Sequence, residues 1–204
     1  MTARRSATEG RSSSPPPGTR AGRDFFDRSA EKVARELVGA TLTVRSGGRT
    51  RSVRIVETEA YVRNDPASHA YRGPTPRNRS MFSVPGTLYV YRIHQVVCAN
   101  LVARQGEAVL LRAGASADAP PATASGPGRL CRFLGIHRED DGADTVTSER
   151  VEVRLRERAP RGLLLGPRVG IRRAADRRLR FAAADEPAVS RPRSLSVRDV
   201  RGRK

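Results

Sequence analysis

Apolar positions along this chain come in short runs, and their spacing changes from helical to strand-like within the first sixty residues. Val33 and Leu37 lie four apart behind Ser29, a residue suited to cap a helix, and Gly39 closes the run; the pattern predicts one helix there. Thr41–Arg45 and Arg51–Tyr61 alternate with period two and are separated by Ser46-Gly47-Gly48-Arg49, which reads as a β-hairpin. Residues 62–80 then break the pattern with a polar stretch holding three prolines. A loop of that length inside a domain is usually functional or disordered. Thr87–Tyr91, Val96–Ala103 and Ala108–Ala113 predict three more short strands. An Ala- and Pro-rich linker (114–124) leads to Ser125, the expected cap of a helix bearing Leu130, Phe133 and Leu134. After an acidic loop (138–149), strands are expected near 151–156, 167–173 and 178–183. Strands outnumber helices and the hairpins are close, so the predicted class is α+β with antiparallel pairing.

The two ends lack this patterning. Residues 1–22 hold Ser, Pro, Gly and Arg and almost nothing to bury, predicting a disordered basic arm; residues 191–204 carry six basic residues against Asp199 and predict a basic tail. The domain is thus expected over 23–190. Its longest apolar stretch, Val96–Ala103, is too short for a membrane-spanning helix, and no apolar signal segment follows Met1. Cys98 and Cys131 are too few for a disulfide framework or a four-cysteine zinc site, which points to a reducing, intracellular compartment.

Charge narrows the partner. Among 204 residues, 39 are Lys or Arg and 21 are Asp or Glu, a formal net charge of +18. Such an excess implies a polyanion, and nucleic acid is the commonest. All but two of the basic residues are arginine, the exceptions being Lys32 and Lys204.

Candidate chemistry begins on the second strand. With strict alternation, Val53, Ile55, Glu57, Glu59 and Tyr61 share one face, so apolar residues lead into two carboxylates and a ring. A carboxylate at the edge of a core face is desolvated, and its pKa rises towards the range of a general base. The same spacing also fits a solvated strand end with both acids in water. Asn100, in an apolar run, must find a partner or cost about 1–3 kcal/mol. Arg112 ends the apolar strand Val109–Ala113. His69, His94 and His137 are far apart without Cys or His at ligand spacing, so no metal is expected, and no nucleotide-binding glycine fingerprint implies a cofactor.

The ordered series Arg54–Tyr61 (RIVETEAY), His69, Thr75–Phe82 (TPRNRSMF), Pro85–Tyr91 (PGTLYVY), Cys98-Ala99-Asn100 and Val109–Ala113 (VLLRA) resembles the alkyladenine (3-methyladenine) DNA glycosylase family. The resemblance continues through Ser125-Gly126-Pro127, Leu130-Cys131, Arg168–Ile171 and Leu179–Phe181, and so spans the whole expected domain. It implies a single domain on a mainly antiparallel curved sheet, with flanking helices and a protruding hairpin. It also implies a hydrolase of base excision repair that extrudes a damaged purine from double-stranded DNA and cleaves its N-glycosidic bond with water. Alkylated purines are the expected lesions, with deaminated or etheno-bridged ones beside them. Glu59 matches the residue that activates the water, and Arg112 the arginine beside it. Tyr61 would stack on one side of the base and His69 with Tyr91 on the other, with Asn100 at the pocket floor discriminating against guanine. Val189 would supply a carbonyl to the water.

At the hairpin tip the family commonly has Tyr-Gly; here His94 stands at the Tyr position, no Gly follows, and the turn is one residue shorter. Arg72, Arg77, Arg79 and Arg92 are expected to touch the DNA backbone. A glycosylase that also cuts the strand needs an amine, and neither lysine lies near the pocket motifs, so a monofunctional enzyme is expected. It would be a monomer without membrane or cofactor, cytoplasmic and nucleoid-associated in a bacterium or nuclear in a eukaryote. The rival reading is a nucleic-acid-binding protein with little or no catalysis.

Overall fold

The computed structural model describes residues 18–192 together with 195, 197 and 198. Among these residues nine strands form one sheet: β1 (Thr41–Ser46), β2 (Arg49–Tyr61), β3 (Leu88–Ile93), β4 (Val96–Val102), β5 (Ala108–Ala115), β6 (Val151–Arg154), β7 (Leu163–Gly166), β8 (Arg180–Ala183) and β9 (Val197–Arg198). All pairings are antiparallel, in the order β3-β4-β5-β2-β8-β7-β9, with β1 joined to β2 and β6 to β1. The α+β class with a mainly antiparallel, curled sheet holds.

The long strand β2 is the spine. Its residues from Arg54 to Tyr61 pair with β5, while β1 pairs its first half and β8 pairs Glu57–Glu59. The neighbour of β2 therefore changes from β1 to β8 around Arg54–Glu57, and the sheet curls there. Helix α1 (Arg23–Phe26) is a single turn. Helix α2 (Ala30–Leu37) begins as its sequence predicts, with Ser29 Oγ accepting the Lys32 N–H at 3.4 Å. Val33, Ala34 and Leu37 are buried against the sheet, and Thr58 donates its hydroxyl to the Ala34 carbonyl at 2.9 Å. Helix α3 (Pro127–Leu134) covers β4 and β5.

Three local expectations are corrected. The α3 cap is Gly126 at φ 110°, not Ser125, because Pro127, with its preset φ, opens the helix and leaves a left-handed position that suits glycine. No strand occupies 167–173; the strand lies earlier, at Leu163–Gly166, and Pro167, lacking an N–H, ends it. The single alternating face from Val53 to Tyr61 is broken, because the β2–β5 register shifts on both sides of Glu57. Such irregularities re-aim side chains: Val53 and Ile55 stay in the main core, while Glu57 and Glu59 turn to Arg112. At the N-terminal end, residues expected within the arm run along β6, with Gly18 donating to Leu155 at 3.0 Å and Ala21 to Val153 at 2.8 Å. The rest of that arm, residues 1–17, and most of the basic tail lie outside the described residues.

Close packing of β5 against β2 depends on Gly114. A Cβ there would lie 2.6 Å from Val53 Cβ and 3.1 Å from Leu130 Cδ1. Gly114→Ala is expected to lower the unfolding free energy by about 1–3 kcal/mol, read as a lower urea midpoint at unchanged slope.

Candidate active site

Period-two alternation in β3, β4 and β5 separates core from chemistry. Leu88, Val90, Ala99, Leu101, Val109 and Leu111 belong to the main core. Their neighbours Tyr89, Tyr91, Cys98, Asn100, Leu110 and Arg112 line a cavity of about 340 Å³ on the other face. Tyr61 at the end of β2, His69 from the long loop and Val169–Ile171 from the loop after β7 also line it. The loop of residues 62–80 is held in shape by two buried side chains. Asn78 donates to the carbonyls of His69 (2.7 Å) and Gly73 (3.1 Å) and accepts the Thr75 N–H, while Asp65 accepts the Ala67 N–H at 3.0 Å.

Behind the wall lies a buried ionic network. Glu57 is fully buried and accepts from Arg112 Nε (2.9 Å), Arg180 Nε (2.6 Å), the Ser190 N–H (2.7 Å) and the Ser190 hydroxyl (3.0 Å). Arg112 also donates to Ser190 Oγ at 3.0 Å, and its Nη1 lies 3.3 Å from Glu59 Oε1. Glu59 has 0% exposure, accepts the Val169 N–H at 2.8 Å and the Tyr61 hydroxyl at 3.0 Å, and touches the cavity through Tyr61 and Arg112. Burial raises its pKa above the usual carboxylate value, outweighing the lowering by Arg112, the Val169 N–H and Tyr61. The solvated strand end is thereby excluded.

The wall itself is aromatic. The His69 and Tyr91 rings meet edge to face at 4.6 Å, Tyr89 tilts against Tyr91 at 5.4 Å, and the Tyr89 hydroxyl is hydrogen-bonded to His69 Nδ1 at 3.0 Å. Burial lowers the His69 pKa, favouring the neutral ring, and burial likewise raises the hydroxyl pKa values of Tyr61, Tyr89 and Tyr91. Asn100 is buried and donates its amide to the Tyr89 carbonyl of the facing strand at 3.1 Å, which fixes its orientation in the cavity.

A second, more open cavity of about 600 Å³ shares Ala67, His69, Tyr89, Tyr91 and Ile93 with the first. Arg72, Arg77 and Arg92 line it, as does Arg173; Arg79 is exposed but outside that lining. His94 and Gln95 form the two-residue tip between β3 and β4, with His94 at φ 51°. His94 is exposed, as are the flanking Ile93 and Val96. Arg92 folds onto this turn, donating to the His94 carbonyl at 2.8 Å.

The structure thus brings Tyr61, His69, Tyr91, Asn100 and Arg112 to one cavity and Glu59 against its wall. Val189 does not join them: it borders a separate cavity with Leu164 and Asp185, and the valine beside Glu59 is Val169. Tyr89 was legible, being two residues before Tyr91 on a strand. Val169 and Arg180 lie within motifs of the resemblance but had no role assigned, and Ser190 carried no signal, since each meets Glu57 or Glu59 from more than a hundred residues along the chain. Among the described residues, no three His, Cys, Asp or Glu side chains gather as metal ligands would, and no helix is long and apolar enough to cross a membrane.

Comparison with known proteins identifies the family to which the chain is similar. The profile of the family described as "Methylpurine-DNA glycosylase (MPG)" matches residues 24–187. A protein of Rhodopseudomonas palustris is 41% identical over 184 residues, covering 82% of this chain and 86% of its own. One from Synechococcus elongatus is 41% identical over 172 residues (82% and 89%), and one from Methanoculleus marisnigri 40% over 186 residues (82% and 96%). All three bear the name "Putative 3-methyladenine DNA glycosylase".

Glu57 is the shared acceptor of two buried guanidinium groups, and its loss leaves both without that charge. Glu57→Ala is expected to destabilise the fold by about 3–5 kcal/mol, measured by denaturant unfolding.

Proposed function

The chain belongs to the methylpurine-DNA glycosylase family, and on that premise we propose that it is a monofunctional base-excision enzyme using water activated by Glu59. Membership makes it a DNA glycosylase, a hydrolase of DNA repair. A purine inside a duplex is out of reach of such a cavity, so the damaged nucleotide is rotated out of the stack and into it. Water held between Tyr61 and Arg112, the two wall groups that touch Glu59, attacks C1′ of the deoxyribose. Glu59 takes its proton, the C1′–N9 bond breaks with its electron pair leaving on the purine, and an abasic sugar remains.

The observation that carries this reading is the Glu59 carboxylate itself, fully buried, hydrogen-bonded by a wall tyrosine and raised in pKa by burial. A raised pKa makes it a competent proton acceptor, and Arg112 favours its charged form. The aromatic wall suits flat purines. An N-alkylated purine carries positive charge, gains roughly 0.5–2 kcal/mol over a ring face, and leaves more readily. Neutral deaminated and etheno-bridged purines fit the same wall by stacking. Asn100, anchored to β3 by the Tyr89 carbonyl, reads the purine edge. His94 at the exposed tip fills the gap in the stack, with Ile93 and Val96 as its apolar shoulders. Arg72, Arg77 and Arg92 hold the flanking phosphates. Neither lysine enters the chemistry: Lys32 is exposed on α2, and Lys204 is remote in sequence from the pocket motifs. The domain boundaries of 23 and 190 enclose every residue given a role here.

Glu59→Gln is expected to keep DNA affinity and to lose about two to four orders of magnitude in base release, measured under single turnover on duplexes containing hypoxanthine or ethenoadenine. Unchanged release would reject the assignment. The charged form of Glu59 is the active one, so release falls as pH drops through its raised pKa. The acid limb therefore lies at higher pH than an ordinary glutamate would give. Arg72→Ala, Arg77→Ala or Arg92→Ala should weaken binding to damaged and undamaged duplexes alike and flatten the salt slope by about one each, read by binding titrations across ionic strengths. A loss confined to damaged DNA would assign that arginine to lesion readout.

A further inference from the structure

Tyr61 already carries a cation. The Arg168 guanidinium carbon lies 4.7 Å from the Tyr61 ring centroid, and Tyr61 lines the cavity whereas Arg168 does not. The guanidinium therefore occupies the face of the ring turned away from the cavity. It is buried, and its Nη1 donates to the Ala60 carbonyl at 3.0 Å and pairs with the equally buried Asp65. Its Nε and Nη2 are buried with no hydrogen-bond partner among the described residues. Leaving such groups unpaired is costly, and attraction to the π-face offsets part of that cost. Among the described residues no guanidinium stacks on Tyr89 or Tyr91.

We infer that Arg168, stacked behind Tyr61 and balanced by Asp65, is a specificity-determining residue that shifts the pocket from cationic towards neutral damaged purines. The inference rests on the base-release reading above. A ring presents negative potential on both faces. A guanidinium on the rear face uses that potential and repels a second cation arriving at the front. A cationic purine then gains little over Tyr61 and depends on the His69–Tyr91 side, where burial favours a neutral imidazole. A neutral purine, such as hypoxanthine, stacks on Tyr61 without that penalty. Asp65 sets the size of the effect, because its carboxylate partly cancels the Arg168 charge.

The test is single-turnover base release from matched duplexes carrying N7-methylguanine, with a fixed positive charge, or hypoxanthine, which is neutral. The readout is the ratio of the two rates, which a uniform loss of fold or affinity leaves alone. Arg168→Met combined with Asp65→Asn removes both charges, and Asn retains an acceptor for the Ala67 N–H. This pair is expected to raise the methylguanine-to-hypoxanthine ratio roughly two- to fivefold, the scale of a modest cation–π term. Arg168→Lys, which keeps a positive charge, should hold the wild-type ratio even if both rates fall. Asp65→Asn alone exposes the guanidinium charge and should lower the ratio; if the double variant does not unfold cooperatively, the sign of this shift decides. An unchanged or lowered ratio in the double variant overturns the inference, as does an unchanged or raised one in Asp65→Asn. Arg168→Lys matching the double variant does the same. If the wild type releases neither base, the catalytic reading fails and this one with it.

Discussion

One guanidinium shared between two buried carboxylates organises this molecule. Arg112 hydrogen-bonds Glu57 and lies beside Glu59, both fully buried on the spine strand. Burying such charges is costly unless each is paired and hydrogen-bonded. The fold meets that requirement by bringing Arg180 from β8 and both the N–H and hydroxyl of Ser190 onto Glu57. The two acids consequently differ. Glu57 is enclosed by donors and anchors the network, whereas Glu59 is held by Tyr61 and Val169 against the cavity and has its pKa raised by burial. Two carboxylates, two residues apart on a strand, acquire different chemistry from their surroundings.

The electrostatic layout follows the same division. Positive charge is plentiful on the outside, where Arg72, Arg77, Arg92 and Arg173 line the open outer cavity. Inside, the wall is mainly aromatic and aliphatic, and Arg112 is its charged side chain. This arrangement suits a ligand that is a polyanion along its backbone and a flat, weakly charged ring at the point of capture. The rear of the wall is also charged, since the Arg168–Asp65 pair sits behind Tyr61. The electrostatics of the pocket thus belong to residues beyond those that line it.

Much of this was legible in the residues. The Ser29 cap and helical spacing located α2, and period-two spacing located the hairpin and the run from β3 to β5. The ordered motifs singled out Glu59, Tyr61, His69, Tyr91, Asn100 and Arg112 before any geometry was known. The signals for the elements are local, arising from the 3.6-residue helix repeat, the two-residue strand repeat and the conformational demands of Gly, Pro and Ser; those for the site residues come from the ordered resemblance to the family, which spans the domain. Two boundaries differ from the expectation although their causes are local: Pro127 moved the cap of α3 to Gly126, and Pro167 ended β7 before the strand expected at 167–173.

Local signals determined the elements and the class of fold, and the ordered resemblance to the family picked out the chemically apt side chains. Tertiary structure alone decided that the β2–β5 register slips on both sides of Glu57, turning the acids away from the face of Val53 and Ile55. It also decided that Val169 rather than Val189 stands beside Glu59, and that Arg168 lies behind Tyr61. These facts depend on strand order and on contacts between segments more than a hundred residues apart. A repeat within one strand specifies which residues alternate; only the neighbouring strands and loops specify what each face meets.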